Sequence, residues 1–260
     1  MTRLTVRAHV DWIADQPATA VLLLRVAEVA GQVVVDEHLE VDGARVEDPG
    51  ARSDGGARPL RLHTATGPVR LRYQATVDVE VPPGDVDGAL PTMGELDLGL
   101  LSWTLPSRYC PADLLAPTAQ HLFADVPRTG ALLEQVRAWV ETNIAYVPGT
   151  SDVHTAADET MLRRTGVCRD LAHLTATLLR GLGVPARLVA AYALDLEPPD
   201  FHAVVEAHDG RAWRLLDATG LAPVGTLVRI ATGRDAADIA WGTTEGPLYV
   251  DRLDVAVTRA

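Results

Sequence analysis

The chain has no lysine. All 23 of its basic residues are arginine, set against 35 Asp and Glu, for a formal charge of −12. Without an ammonium at a reacting atom, Schiff-base chemistry and a P-loop phosphate site are both excluded. An acidic balance of this size argues against nucleic acid and against an anionic membrane as partners. Long apolar runs are missing as well. The stretch from Ala20 to Leu24 is broken by Arg25, and Arg3, Arg7 and Asp11 interrupt the start of the chain. Neither a signal peptide nor a spanning helix can be drawn, and a cytoplasmic location is the expectation. Cysteine is scarce: Cys110 and Cys168 are the only two, too few for a disulfide framework, so each thiol has to be explained singly.

What is present is a chain of 260 residues with 21 Gly and 17 Pro, long enough for a small β domain joined to a catalytic core. From Leu4 to about Val81 the apolar pattern has period two, in LTVRAHV, ATAVLLLRVAEV, QVVVDEHLEV and PVRLRYQATVDVEV, which predicts strands of a β-sandwich or small open barrel. DPGARSDGGARP and VPPGDVDGALPTMGELD read as loops, and the second sets a boundary near residue 105. The expected domains are therefore 1–105, rich in β-structure, and 106–260, the core. Beyond SRYCPAD the period becomes helical, with Leu114, Leu115, Ala119, Leu122 and Phe123 on one helix and Leu132, Leu133, Val136, Trp139 and Val140 on the next. TAADETMLRRT gives a short third helix. VCRDLAHLTATLLRGLG gives a fourth, with Leu171, Leu174, Leu178 and Leu182 on one stripe and Gly183 at its end. Strand signals return in ARLVAAYAL, FHAVVEA, RAWRLLD, TLVRIA and LYVDRLDVAV, so the fold class is α+β, helices first and then an antiparallel sheet.

Cys168 falls at the start of the fourth helix. Unpaired N–H groups and the positive dipole end there favour thiolate, and the same amides are placed to bind the oxyanion of a tetrahedral intermediate. A second element is the hairpin FHAVVEAHDGRAWRLLD. With Asp209-Gly210 as a two-residue turn, His208 pairs with Arg211 and His202 lies directly opposite Asp217. A carboxylate there fixes the imidazole tautomer and leaves the other ring nitrogen for a thiol. Taken alone, Cys168 also reads as a small core residue and the His–Asp pair as a structural ion pair. The pattern does not bring the helix end to the hairpin.

GVCRDLAHLTATLLRGLGVPARLV, DFHAVVEA and WRLLDATGLAP together resemble the three signature blocks of the bacterial transglutaminase-like superfamily. The likeness covers about 115 residues, from the helix around Leu132 to GRDAAD, and SRYCPAD and RIATGRDAADIA resemble its cysteine protease subgroup, which carries a β-rich N-terminal region. The resemblance implies a papain-like core, with helices packed on an antiparallel sheet. It also implies Cys168 as nucleophile, His202 as general base and Asp217 as the orienting acid, and it joins helix end to hairpin.

Several other residues compete for a role. Asp170, in the first turn of the helix, suits the dipole but would disfavour thiolate if it faced sulfur, and reads as structural. Arg169 pairs with Asp170 or faces substrate. His173 is five residues from Cys168, a spacing that points the two side chains about 140° apart, whereas chelating pairs sit three or four apart; zinc is not expected, and no Ca²⁺ loop is present. No cofactor is expected. Cys110 reads as a packed thiol, with a place at the active-site wall left open by the resemblance, and Tyr109 or Tyr146 is available as a second oxyanion donor. The expected activity is attack of Cys168 on an amide or ester carbonyl of a peptide or protein substrate, followed by hydrolysis of the thioester. Transfer to an amine is the alternative, and a binding or scaffold module that keeps the fold without catalysis is the third reading. Oligomeric state is left open.

Overall fold

The computed structural model describes residues 1–50, 55–81 and 86–260; the middles of the two loops expected around residues 51–54 and 82–85 lie outside the described residues. Period-two patterning builds the first part. β1 (Thr2–Ala14) alternates between a buried and an outward face along its 13 residues. β2 (Ala18–Leu22), β3 (Gln32–Asp42), β4 (Ala44–Glu47), β5 (Leu60–Thr64) and β6 (Gly67–Val79) follow. They form parts of two four-stranded sheets, whose inner faces meet around Trp12, Leu22, Leu62, Leu71 and Tyr73.

The sheets are completed from the other end of the chain. β13 (Gly242–Glu245) pairs with β2, and β14 (Leu248–Arg259) pairs with β1 from Leu4↔Arg259 to Ala14↔Leu248. Strand orders are β14-β1-β6-β3 and β13-β2-β5-β4. A cut at residue 105 therefore does not separate the β part from the core, because the last strands of the expected 106–260 unit belong to the N-terminal sheets. Period-two alternation marks a strand but carries no label for its partner, so the return of LYVDRLDVAV to β1 was hidden in the sequence.

The core opens with α1 (Ala112–Leu122) and α2 (Gly130–Asn143), then the two-residue strand β7 (Ala145–Tyr146), α3 (Ala157–Arg163), β8 (Thr165–Gly166) and α4 (Cys168–Gly181). α1 turns Leu114 outward, 65% exposed, and packs through Ala112 and Ala119 instead. A Cβ on Gly181 would stand 3.0 Å from Ala116 Cα, so α1 and α4 approach at their small residues. α4 is buried continuously from Asp170 to Arg180, rather than along one leucine stripe, because helices and sheet surround it. β9 (Ala186–Tyr192), β10 (Phe201–His208), β11 (Trp213–Leu216) and β12 (Val228–Gly233) form an antiparallel sheet in the order β11-β10-β9-β12, and the short α5 (Ala236–Ile239) follows. Among the described residues no helix is long and apolar enough to cross a membrane.

The two parts share one apolar core. Tyr73 stacks on Tyr192 at 6.5 Å and Phe201 on Trp241 at 5.7 Å. The Tyr192 hydroxyl donates to Leu24 O at 2.6 Å, and the Gln32 amide bridges Ala27 O and both main-chain groups of Arg229. These buried polar links are satisfied on both sides, which fixes the sheet against the β part.

The β10–β11 hairpin is closed by four residues, not two. Asp209 N–H bonds to Ala212 O at 3.1 Å, and the Asp209 carboxylate takes the Arg211 and Ala212 amides at 2.8 Å each. This side-chain turn lengthens the loop. The ladder accordingly pairs His208 with Trp213 and Val205 with Leu216. Extended, that register sets Thr219, not Asp217, opposite His202. The expected pairing is corrected by two residues, which is the period of side-chain alternation, so His202 and Asp217 stay on the same face as diagonal neighbours.

Candidate active site

β7 and β8 run parallel, with Ala145 N–H on Arg164 O and Val147 N–H on Gly166 O, both at 2.9 Å. This pairing delivers the chain to Val167, which is extended at φ −114° and ψ −177°, and α4 starts at Cys168. Asp170 secures the start: its carboxylate, fully buried, accepts from Val167 N–H at 2.9 Å, from Ser151 Oγ and from Arg169 Nη2 at 3.0 Å. It is engaged away from the sulfur, in the capping geometry that suits a first-turn carboxylate. Arg169 also reaches Asp152 O at 2.5 Å, so both it and Asp170 hold the helix end. Gly166 is required here, since a Cβ would stand 2.7 Å from Asp170 Cβ.

His202 lies at the beginning of β10, 2% exposed, and its Nε2 is 2.9 Å from Asp217 Oδ2. The ring also shares a hydrogen bond with the Cys168 side chain, for which Nδ1 is the nitrogen left. Burial lowers the imidazole pKa, but the hydrogen bonds to Asp217 and Cys168 and their negative charge outweigh it, and the net value is about 9. Burial pushes the Asp217 carboxyl up, but His202 and Thr219 hold it below its ordinary range. The three residues singled out in the sequence are thus brought together, with Cys168 partly exposed and the other two buried.

Two further residues complete the cluster. Thr219 donates its N–H at 2.8 Å and its hydroxyl at 2.7 Å to Asp217 Oδ1, locking the carboxylate as it leaves the strand; its Oγ1 is also 3.5 Å from His202 Nε2. The sequence signal for it was Asp217-Ala218-Thr219, an acidic residue placed to cap the amide two positions on. Tyr146 is the second. Burial raises its phenol pKa, and both the side chain and the main chain of Cys168 hydrogen-bond to it. The hydroxyl of Tyr109 is committed elsewhere, to Val153 O at 2.8 Å, and its ring stacks on His173 at 5.0 Å. Of the two tyrosines, only Tyr146 reaches the sulfur.

The remaining thiol and imidazole are apart from this cluster. Cys110 is fully buried, its Sγ 3.6 Å from His173 O, and burial raises its pKa. His173 Nε2 accepts from Ala236 N–H at 3.1 Å, and burial pushes its pKa down to about 3. Among the described residues no group of three or more His, Cys, Asp or Glu is placed to hold a metal ion. A cavity of about 380 Å³ bounded by Leu133, Arg137 and Ala222 touches Asp217 but neither Cys168 nor His202.

A partly exposed thiol at a helix start, an imidazole on the adjoining sheet and a carboxylate behind it stand on helices packed against an antiparallel sheet, the architecture of a papain-like core. The chain belongs to the transglutaminase-like superfamily. The family model for the Transglutaminase-like superfamily core matches residues 118–218. Over nearly the whole fold, the chain is similar to the crystal structure of a Cytophaga hutchinsonii protein described as a candidate cysteine protease: TM-score 0.93, 32% identity, 99% of this chain and 90% of that one. An uncharacterized protein of Mycobacterium leprae (strain TN) is 30% identical over 113 residues, 39% of each chain. One of Mycobacterium tuberculosis (strain ATCC 25618 / H37Rv) is 26% identical over 196 residues, 70% of this chain and 58% of that one. The matches thus span less than two thirds of either mycobacterial protein's length.

Proposed function

We propose that this protein is a cysteine-dependent acyl-transfer enzyme that hydrolyses amide or peptide bonds through a thioester at Cys168. The observation that carries this reading is the His202 imidazole, held between Asp217 at 2.9 Å and the Cys168 side chain. In this reading the thiolate attacks the substrate carbonyl carbon, and the oxyanion is met by the Cys168 main-chain N–H and the Tyr146 hydroxyl. The imidazolium gives its proton to the departing amine as the C–N bond breaks. Neutral His202 then takes a proton from water, hydroxide attacks the thioester, and the acid departs as sulfur regains its negative charge. Asp217 keeps the tautomer throughout.

Hydrolysis is favoured over transfer to an amine because Cys168 is partly exposed, so water reaches the thioester. The likeness to the Cytophaga hutchinsonii protein points the same way. The substrate class is a peptide or protein. The test is incubation of casein and a peptide library with and without a fluorescent primary amine, for the wild type and Cys168→Ala. New cleavage products lost in the variant are the expected result. Incorporation of the amine without cleavage would make the enzyme a transferase, and neither product would leave the fold as a binding module.

A further inference from the structure

At the far end of β10 from His202, one carboxylate serves two guanidinium groups. Glu206, 1% exposed, accepts from Arg187 Nε at 2.8 Å and from Arg229 Nε at 2.6 Å. Arg229 is itself only 6% exposed, and its Nη1 is buried with no hydrogen-bond partner. Arg187 lies 4.0 Å over the ring of Trp213 and feels Glu206 as its countercharge and Arg229 as a like charge. The buried Arg229 and the half-buried Arg187 against one buried carboxylate leave one positive charge in excess, within a chain of net charge −12. A buried charge lacking a partner is strongly unfavourable, so the arrangement has room for one anion.

These residues line a cavity of about 500 Å³, faced on the other side by Val29 and Ala30 from the segment between β2 and β3. Glu80 also lines it, but among the described residues its carboxylate makes no hydrogen bond or ion pair with either arginine. The volume falls within the range of about 300–1,000 Å³ usual for small-molecule sites. Beside the charged cluster the lining carries the polar side chains of Glu80, His208 and Arg211 and an apolar part formed by Val29, Ala30, Ala212 and the Trp213 ring, so an anion attached to an apolar body meets both surfaces where an inorganic one meets only the first.

We propose that this cavity binds a small organic carboxylate of about the size of an acylated amino acid, its carboxylate on Arg229 and its apolar part against Trp213, Val29 and Ala30. Nothing in this depends on Cys168, so the site stands or falls separately from the acyl chemistry. Calorimetric titration at constant ionic strength with N-acetylphenylalanine, its uncharged amide and inorganic phosphate tests it, on the wild type, Cys168→Ala and Arg229→Gln. Saturable one-to-one binding of N-acetylphenylalanine is expected, at least tenfold weaker for the amide and for phosphate, retained in Cys168→Ala and weakened at least tenfold in Arg229→Gln. Because Arg229→Gln also disturbs Glu206, the wild type supplies a second readout: the ¹⁵N-labelled Arg229 side-chain resonance shifts as N-acetylphenylalanine is added. Equal affinity for the amide would reduce the site to an apolar cleft, and equal or tighter binding of phosphate would overturn the organic ligand. No saturable binding, or no shift of Arg229, would overturn the site.

Discussion

His202 is buried in a setting that should keep it neutral, and it is nevertheless held at about 9 by its hydrogen bonds to Asp217 and Cys168. Its folded value lies above the unfolded 6.5, so its contribution to stability is complete below about pH 6.5 and is lost as pH rises through about 9. Asp217 runs the other way: its folded value is depressed, so its contribution holds above the unfolded value of about 3.9 and fades as pH falls through the depressed one. In the proposed mechanism the imidazolium protonates the leaving group, which predicts that kcat/KM for peptide cleavage falls above about pH 9. Asp217→Asn should retain the fold, cut kcat by up to about 10⁴-fold through the wrong tautomer, and move the basic limb to lower pH. A pH–rate profile of both proteins checks this; an unchanged limb would mean that another group sets it. Tyr146→Phe keeps the ring and removes the hydroxyl, and kcat should drop about 10²–10³-fold with little change in KM if the hydroxyl binds the oxyanion.

At the level of elements, the start of α4 is fixed by Gly166 and Asp170. Adding a methyl at Gly166 forces the Asp170 side chain to move, since the new atom would lie 2.7 Å from its Cβ. Gly166→Ala should therefore lose about 1–3 kcal/mol in chemical denaturation and lower activity with it, because the helix end that carries Cys168 shifts. Stability unchanged in the variant would show that the contact relaxes freely. The sequence revealed these elements through patterns that are local in the chain: alternation for β1 and β6, the helical run from Cys168, and Asp209-Gly210 as a turn. Its failures came where a side chain competes with the backbone. Asp209 accepts two amides and lengthens the turn, which moved the register by two residues, and Thr219 holds Asp217 after the ladder has ended. The face shared by His202 and Asp217 was nevertheless readable, because a slip of two preserves side-chain alternation.

On the scale of the whole molecule, long-range pairing was the part least visible. Nothing in LYVDRLDVAV says that it lies beside β1, more than two hundred residues away, and the transglutaminase-like core consequently packs against sheets built from both ends of the chain. Ending the chain at residue 241 should expose the long edge of β1 and the β2 edge together, and expression should yield aggregated or molten material. Near-ultraviolet circular dichroism and size exclusion read the outcome; a monomer with the native melting temperature would contradict the dependence. The assembly of Cys168 with His202 likewise needed tertiary structure or a recognised family, because α4 and β10 reach each other only through packing.

The central claim is that Cys168 and His202 act as a thiolate–imidazolium pair. Its most direct measurement is the rate of iodoacetamide alkylation at Cys168 against pH, read by mass spectrometry in the wild type and in His202→Ala. The account predicts fast alkylation of the wild type at pH 6–7 that falls at least about tenfold in the variant. A rate that tracks an ordinary thiol, rising only near pH 8.5 and indifferent to His202, would contradict it.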